Sequence, residues 1–295
     1  MSRLSKLFRS RTRPVARTAR LGVEALDARL IPSVTFTEHP DHTVDVVATA
    51  HQNNTITIRN DGDGNLAITA DGVTRNFTQV VNVNVETGDG RDTVTYNQGT
   101  STHSVDLRRS FGLSVDFQGG FFDDGQGDHF TANVFGDVGF SQIGIVHARE
   151  LGFDVLGGNG ADRIDFNFHD TDVRAGSKLS VFAMGFGGND NITLDSDGEV
   201  DGDFSFSLQG TDDNDTVAAN VLLDSGSTGS VGGRFANVRG DNGSDAVTLA
   251  VRQQTGSHAS VNAVVDGGLS LFDHDVGRHT ANVRAAFLEQ DIVIA

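Results

Sequence analysis

Six short turns carry the residues in this chain best suited to bind an ion. They read Gly88-Asp89-Gly90-Arg91-Asp92, Gly125-Gln126-Gly127-Asp128, Gly157-Gly158-Asn159-Gly160-Ala161-Asp162, Gly187-Gly188-Asn189-Asp190, Gly210-Thr211-Asp212-Asp213-Asn214-Asp215 and Gly240-Asp241-Asn242-Gly243-Ser244-Asp245. Their closing aspartates follow one another at intervals of 36, 34, 28, 25 and 30 positions. Degenerate copies stand at Asp61-Gly62-Asp63-Gly64-Asn65 and Asp266-Gly267-Gly268. Glycine lets the backbone fold so that carbonyl oxygens face into a turn, and aspartate adds a hard, charged oxygen. Calcium takes six to eight such ligands. One turn supplies half a shell, so the other half has to come from a turn stacked beside it. Carboxylates one strand spacing apart, about 4.8 Å, repel by about 3–4 kcal/mol at an effective dielectric of about 20. Six aspartates in register are therefore expected to face water or to hold cations.

The elements between the turns are short and alternating. Leu113, Val115 and Phe117 share one parity, as do Leu151, Phe153 and Val155; Ile164, Phe166 and Phe168; Phe204, Phe206 and Leu208; and Val247, Leu249 and Val251. Apolar residues at every second position mark strands buried on one face. Phe117, Phe153, Phe166, Phe206 and Leu249 are expected to point inward. A unit of two strands and a turn cannot bury its own apolar face, so copies must stack. The expected class is all-β, a parallel β-solenoid or β-roll with two to three strands per coil. An antiparallel sandwich or meander, with each turn a hairpin, stays open beside it.

Composition agrees with many tight turns between strands. The chain has 36 Gly and 20 Phe, no Trp, no Cys and a single tyrosine, Tyr96; its three prolines are Pro14, Pro32 and Pro40. Disulfide and thiol chemistry are excluded, and no apolar run is long enough for a transmembrane helix. Residues 1–34 hold eight basic and two acidic residues, which leaves 38 acidic and 14 basic ones, a net of −24, for residues 35–295. Such a body repels nucleic acid and attracts cations. The expected organisation is a basic, disordered N-terminal sorting or export segment over 1–34 and a β-repeat domain over 35–295.

Gly157 to Asp165 fits every position of the pattern G-G-x-G-x-D-x-U-x, with U apolar. It resembles the haemolysin-type (RTX) calcium-binding repeat. Gly88 to Thr95 fits from the second glycine, and Gly240 to Thr248 keeps the first and third glycine positions and Asp245. The resemblance implies calcium held by Gly157, Gly158, Asn159, Gly160 and Asp162. It implies Asp92, Asp128, Asp190, Asp215 and Asp245 as ligands at the other turns. The family's turns recur every nine residues or so, whereas these recur at the wider intervals given above. Separately, Val23-Glu24-Ala25-Leu26-Asp27-Ala28-Arg29-Leu30-Ile31-Pro32-Ser33 is similar to a short N-terminal motif of exported planctomycete-type surface proteins, with Asp27 where that motif usually has Glu. This likeness implies an extracellular or cell-surface location.

The expected function is that of an exported structural or adhesive surface protein. Its partners would be calcium ions and cell-surface polysaccharide or other surface proteins, not nucleic acid. The alternative is a carbohydrate-active β-helix enzyme, a polysaccharide lyase or glycoside hydrolase. Asp123/Asp124 and Asp212/Asp213 would offer its carboxylates, and Lys178, Arg163 and Arg174 its basic groups. Two further groups, Asp273/His274/Asp275/His279 and His169/Asp170/Asp172, have residue types found around transition metals, but polar turns explain them equally well.

Overall fold

Alternation in the sequence becomes alternation in burial. Phe111–Asp116, for example, reads buried and half-buried in strict succession, and His129–Phe135 keeps the same period. The computed structural model describes residues 34–49, 52–117, 125–232 and 237–265, and the backbone of 266 and 280–287. Residues 1–33, Asp123/Asp124 and the Asp273/His274/Asp275/His279 group lie outside the described residues. Every regular element among the described residues is a strand.

From Asn82 onward the chain passes back and forth between two long sheets. The first sheet runs Val34–Glu38, Thr43–Ala48, Asn82–Glu86, Phe111–Asp116, Glu150–Asn159, Lys178–Gly187 and Asp203–Asp212. It is continued by two short pairs, Ser230–Val231 with Asn237–Asp241 and then Ser260–Val261 with Val264–Asp266. The second sheet runs from Thr280–Phe287 through Ala246–Gln253, Thr216–Leu223, Asn191–Gly198, Arg163–His169, His129–Phe135 and Thr93–Gln98 to Thr55–Asn60, Leu66–Ala70 and Val73–Phe77.

The sheets are mixed. Pairing is parallel wherever consecutive passes meet, as between Phe153 and Val181 or Phe166 and Leu194. Among the described strands, antiparallel pairing occurs at Val34–Glu38, at the two strands after Thr55–Asn60, and in a separate hairpin, Phe140–Gln142 with Ile145–His147. Val34–Glu38 ends the first sheet, and Leu66–Ala70 with Val73–Phe77 ends the second. There Phe36 of the first sheet meets Phe77 of the second at 6.1 Å, under the guanidinium of Arg75. A turned-back strand ends a parallel stack without leaving a long apolar edge. On the return from the second sheet to the first, Leu107, Val138, Val173 and Val200 pair in parallel as single buried residues, a third and minimal column.

The core lies between the sheets. Phe117, Phe153, Phe166, Phe206 and Leu249 are all buried, as their parity requires. A continuous series of ring contacts runs through it: Phe111 to Tyr96 at 5.5 Å, Tyr96 to Phe153 at 5.3 Å, Phe153 to Phe168 at 5.9 Å, Phe168 to Phe204 at 6.1 Å and Phe204 to Phe206 at 5.6 Å. Where a pass carries no inward ring, Leu179, Val181, Ile192 and Leu194 fill the same layer. Tyr96, fully buried, places its hydroxyl in a polar chain: Asn60 donates to it at 3.0 Å and it donates to Gln98 at 2.9 Å. Burial pushes its phenol well above the ordinary tyrosine range.

Candidate functional site

Each closing aspartate is the residue just before a strand of the second sheet, so stacking of those strands brings all six into one column. Asp92, Asp128, Asp162, Asp190, Asp215 and Asp245 are at most 3% exposed. They are tied in one direction. The backbone N–H of Asp92 donates to Oδ1 of Asp128 at 2.6 Å, that of Asp128 to Asp162 at 2.7 Å, Asp162 to Asp190 at 2.8 Å, Asp190 to Asp215 at 2.8 Å, and Asp215 to Asp245 at 2.9 Å. The return bond is main chain to main chain. His129 donates to the carbonyl of Asp92, Arg163 to Asp128, Asn191 to Asp162, Thr216 to Asp190 and Ala246 to Asp215, all at 2.8–2.9 Å. A carboxylate oxygen thus takes the place of a strand carbonyl and extends the parallel ladder one residue into the turn.

The first rung is not an aspartate. Asn54, also buried, donates its N–H to Oδ1 of Asp92 at 2.6 Å, and Thr93 donates to the Asn54 carbonyl at 2.9 Å. The turn motifs do not point to Asn54. Its only signal is a position one residue before the strand Thr55–Asn60, with no preceding glycine turn. A shorter outer ladder runs alongside, with Asn189 accepting from the N–H of Asn214 and Asn214 from that of Ser244, both at 2.9 Å.

Of the two expectations for six stacked aspartates, that they face water or that they hold cations, this placement corrects the first. They face inward, and each is bonded to the next pass. It also changes what the glycines do. The glycine five residues before four of the six aspartates (Gly157, Gly185, Gly210, Gly240) lies directly under the carboxylate. A methyl group on Gly185 would collide with Oδ2 of Asp190 and approach the Gly210 carbonyl at 2.8 Å. Gly185, rather than Gly187, is therefore the counterpart of Gly157, and in the first copy the buried Thr87 stands there. Two residues before the aspartate the backbone is left-handed, with φ of 132° at Gly160 and 114° at Gly188, and a side chain on Gly188 would strike the Gly160 carbonyl of the preceding turn. The G-G-x-G-x-D spacing has a conformational reason at each of these positions. Gly185→Ala is expected to cost about 2–4 kcal/mol in urea unfolding, through steric overlap in a packed layer. Gly152→Ala, on the outer face where the nearest atom to the new methyl is the Ser180 hydroxyl at 3.3 Å, should cost under about 1 kcal/mol, because that hydroxyl can turn aside.

Burial and like charge shape the electrostatics. Asp190 is raised to about 8, first by burial, then by its neighbours Asp162, Asp215 and Asp213, against the lowering effect of the N–H bond from Asp162. Asp215 is raised to about 7 by burial and by Asp245, Asp213 and Asp212. Asp92 moves in the same direction, with burial largest and the Asn54 N–H opposing it. Oδ2 of Asp92, Asp190 and Asp215 lies buried without a hydrogen-bond partner. A calcium half-shell needs carboxylates and carbonyls turned together toward a shared point. In the ladder, Oδ1 accepts an N–H, Oδ2 lies against a glycine at Asp162, Asp190, Asp215 and Asp245, and the carbonyls of Asp92, Asp128, Asp162, Asp190 and Asp215 bond the next strand. Among the described residues no three His, Cys, Asp or Glu side chains form a metal-binding group.

The other singled-out residues are dispersed. Arg163 pairs with Asp165 at 2.6 Å, and Arg174 with Asp137 at 2.5 Å and Asp172 at 3.1 Å. His169 packs against the Phe135 ring at 5.2 Å, and the Asp170 N–H donates to Asp197. Asp212 and Asp213 are exposed in their turn. Lys178 lines a groove of about 710 Å³ on the outer face of the first sheet, floored by Gly112, Gly152, Ser180 and Ser205 and walled by Phe182. Asp154, raised by burial and then by Asp116, is the one carboxylate among its described lining residues. Comparison with protein-family models, with curated proteins and with solved structures yields no match to this chain.

Proposed function

We propose that this chain is a structural or adhesive protein of the cell exterior whose two sheets are the faces of a parallel β-solenoid. The observation that carries this reading is the aspartate ladder. It bonds every pass to the next from Asn54 to Asp245, with one carboxylate oxygen at each of the six aspartates engaged in holding the stack together. The groove agrees better with binding a surface polysaccharide than with cleaving one. Glycoside hydrolysis uses two carboxylates across the scissile bond, and the described groove lining presents Asp154 alone. In the organism's own cells, protease added to intact cells is expected to degrade the full-length chain, and removal of residues 1–34 to keep it inside. Protection of the full-length chain until lysis would overturn the location and with it the adhesive role.

Calcium at the Gly157–Asp162 turn is the second reading, favoured by one observation: burial and neighbouring carboxylates raise Asp190 and Asp215, a cost a divalent cation would offset. On this reading, calcium at a hundredfold excess over its dissociation constant stabilises the fold by about 2.7 kcal/mol, and Asp162→Asn removes most of that gain. Calorimetry and thermal melts in calcium against magnesium at equal ionic strength test it. Equal effects of the two ions on the wild type, unchanged by Asp162→Asn, leave the turns purely conformational.

A further inference from the structure

In a body with 38 acidic and 14 basic residues over 35–295, a guanidinium meets a carboxylate by default. Arg163 and Arg174 do so. Arg108 and Arg149 meet each other instead. Arg149 Nε donates to the Arg108 carbonyl at 2.5 Å, and its Nη1 donates to the Ala148 carbonyl at 2.6 Å. Both guanidinium carbons lie over one ring, that of Phe140, at 5.7 Å for Arg108 and 5.2 Å for Arg149. The same ring is stacked on His147, with centroids 4.5 Å apart and planes 9° apart. Among the described residues no carboxylate comes within 4 Å of either guanidinium.

Two like charges are thus held together by main-chain carbonyls and an aromatic face, without the acid that ordinarily neutralises such a pair. Two of Arg149's five N–H donors are committed to those carbonyls, which fixes the fork in place, while Arg108 is exposed. A guanidinium fork matches sulfate, phosphate and carboxylate geometry, with two parallel N–H bonds to two oxygens. The hairpin that carries Phe140 and His147 takes no part in the aspartate ladder. Its tip presents Ile143, 94% exposed and at a φ of 53°, beside the exposed Ile145 and Val146. A β-branched residue in the left-handed region is a strained conformation, and here it displays an apolar surface on the hairpin whose Phe140 ring carries the two arginines. Lys178, at the near end of the groove, donates its N–H to the Arg149 carbonyl at 2.8 Å.

We infer that Arg108, Arg149 and the Phe140/His147 stack form a binding site for an oxyanion, the sulfate ester or carboxylate of an acidic glycan whose sugar faces rest on the hairpin tip. The site goes beyond the proposed role and is tested separately from it. Isothermal calorimetry on the full chain at constant ionic strength would compare chondroitin sulfate and polygalacturonate oligosaccharides, neutral dextran oligosaccharides and sodium sulfate. At least one charged oligosaccharide is expected to bind while dextran does not. Arg108→Ala and Arg149→Lys should each weaken that binding about tenfold, the loss of a charge-assisted pair. Arg163→Ala, on the second sheet and already paired with Asp165, should leave it unchanged. Inorganic sulfate binding at least tenfold more weakly than the oligosaccharide supports the glycan as its source, and equal affinity reassigns the site to a free oxyanion. Arg108 is exposed, so its variant reads binding even if Arg149→Lys fails to fold. Absence of heat with every oxyanion, equal binding of dextran, or an equal loss in Arg163→Ala overturns the site. None of these outcomes touches the location of the protein.

Discussion

In chelator, the wild-type protein should resist urea better at pH 5 than at pH 8.5, by several kcal/mol. The sign follows from the ladder. Asp190 and Asp215 hold their protons to about 8 and about 7 in the fold, against about 3.9 in the unfolded chain. Between those values the folded state binds more protons than the unfolded one, so stability falls as pH rises. The stabilisation is complete below about pH 4 and is lost by about pH 8. Asp92, Asp137, Asp154, Glu199 and Asp224 are also raised, each mainly by burial, and push in the same direction. Asp45, lowered by Asn84 and His39, opposes them weakly from a more exposed position. Holding a proton tenfold more tightly in the fold is worth about 1.4 kcal/mol, before relaxation and solvent penetration reduce it. Asp190→Asn keeps the acceptor for the Asp162 N–H and replaces the ionisable oxygen with a neutral amide. It should therefore match the wild type at pH 5 and exceed it at pH 8.5. A flat profile from pH 5 to 8.5, or a variant weaker than wild type at both ends, would show that the ladder is ionised in the fold at no cost.

Phe166→Ala is expected to cost about 3–5 kcal/mol in urea unfolding at pH 6, the range for deleting a buried aromatic side chain. The ring is fully buried and lies 5.4 Å from Phe130, 5.8 Å from Phe153 and 6.3 Å from Phe168. These partners come from both sheets and from the preceding pass, so no single rotation closes the space left behind. The half-buried Phe182, on the wall of the outer groove, makes the matched comparison; Phe182→Ala should cost under about 1 kcal/mol. Equal losses at the two positions would mean that the space between the sheets is not the core. The stability of a stacked array is close to a sum of nearest-neighbour terms. A central gap should thus also lower the slope of the urea transition, as the two halves begin to unfold separately.

Strand positions, the inward row of phenylalanines and the sites of the turns are all legible in the sequence, because each depends on local rules. Alternation of period two places Phe153 and Phe166 inside wherever their strands dock. The left-handed backbone at Gly160 and Gly188 follows from the turn spacing alone. The direction of the aspartates is not local. A side chain one residue before a strand can turn outward to an ion or inward to a neighbouring N–H, and the donor that draws Asp162 inward belongs to Asp128, 34 positions away. With intervals of 25 to 36 residues between rungs, the sequence lets consecutive turns be expected to stack, but not which group of one turn meets which group of the next. The same holds for Asn54, which has no turn motif to mark it, and for Arg108 and Arg149, 41 positions apart and joined through a hairpin outside the repeat. Composition and periodicity determined that this chain forms strands with a phenylalanine-rich interior. Tertiary stacking decided that its aspartates lie inside the ladder and that two of its few arginines share one ring, because both depend on contacts between distant passes that no local pattern encodes.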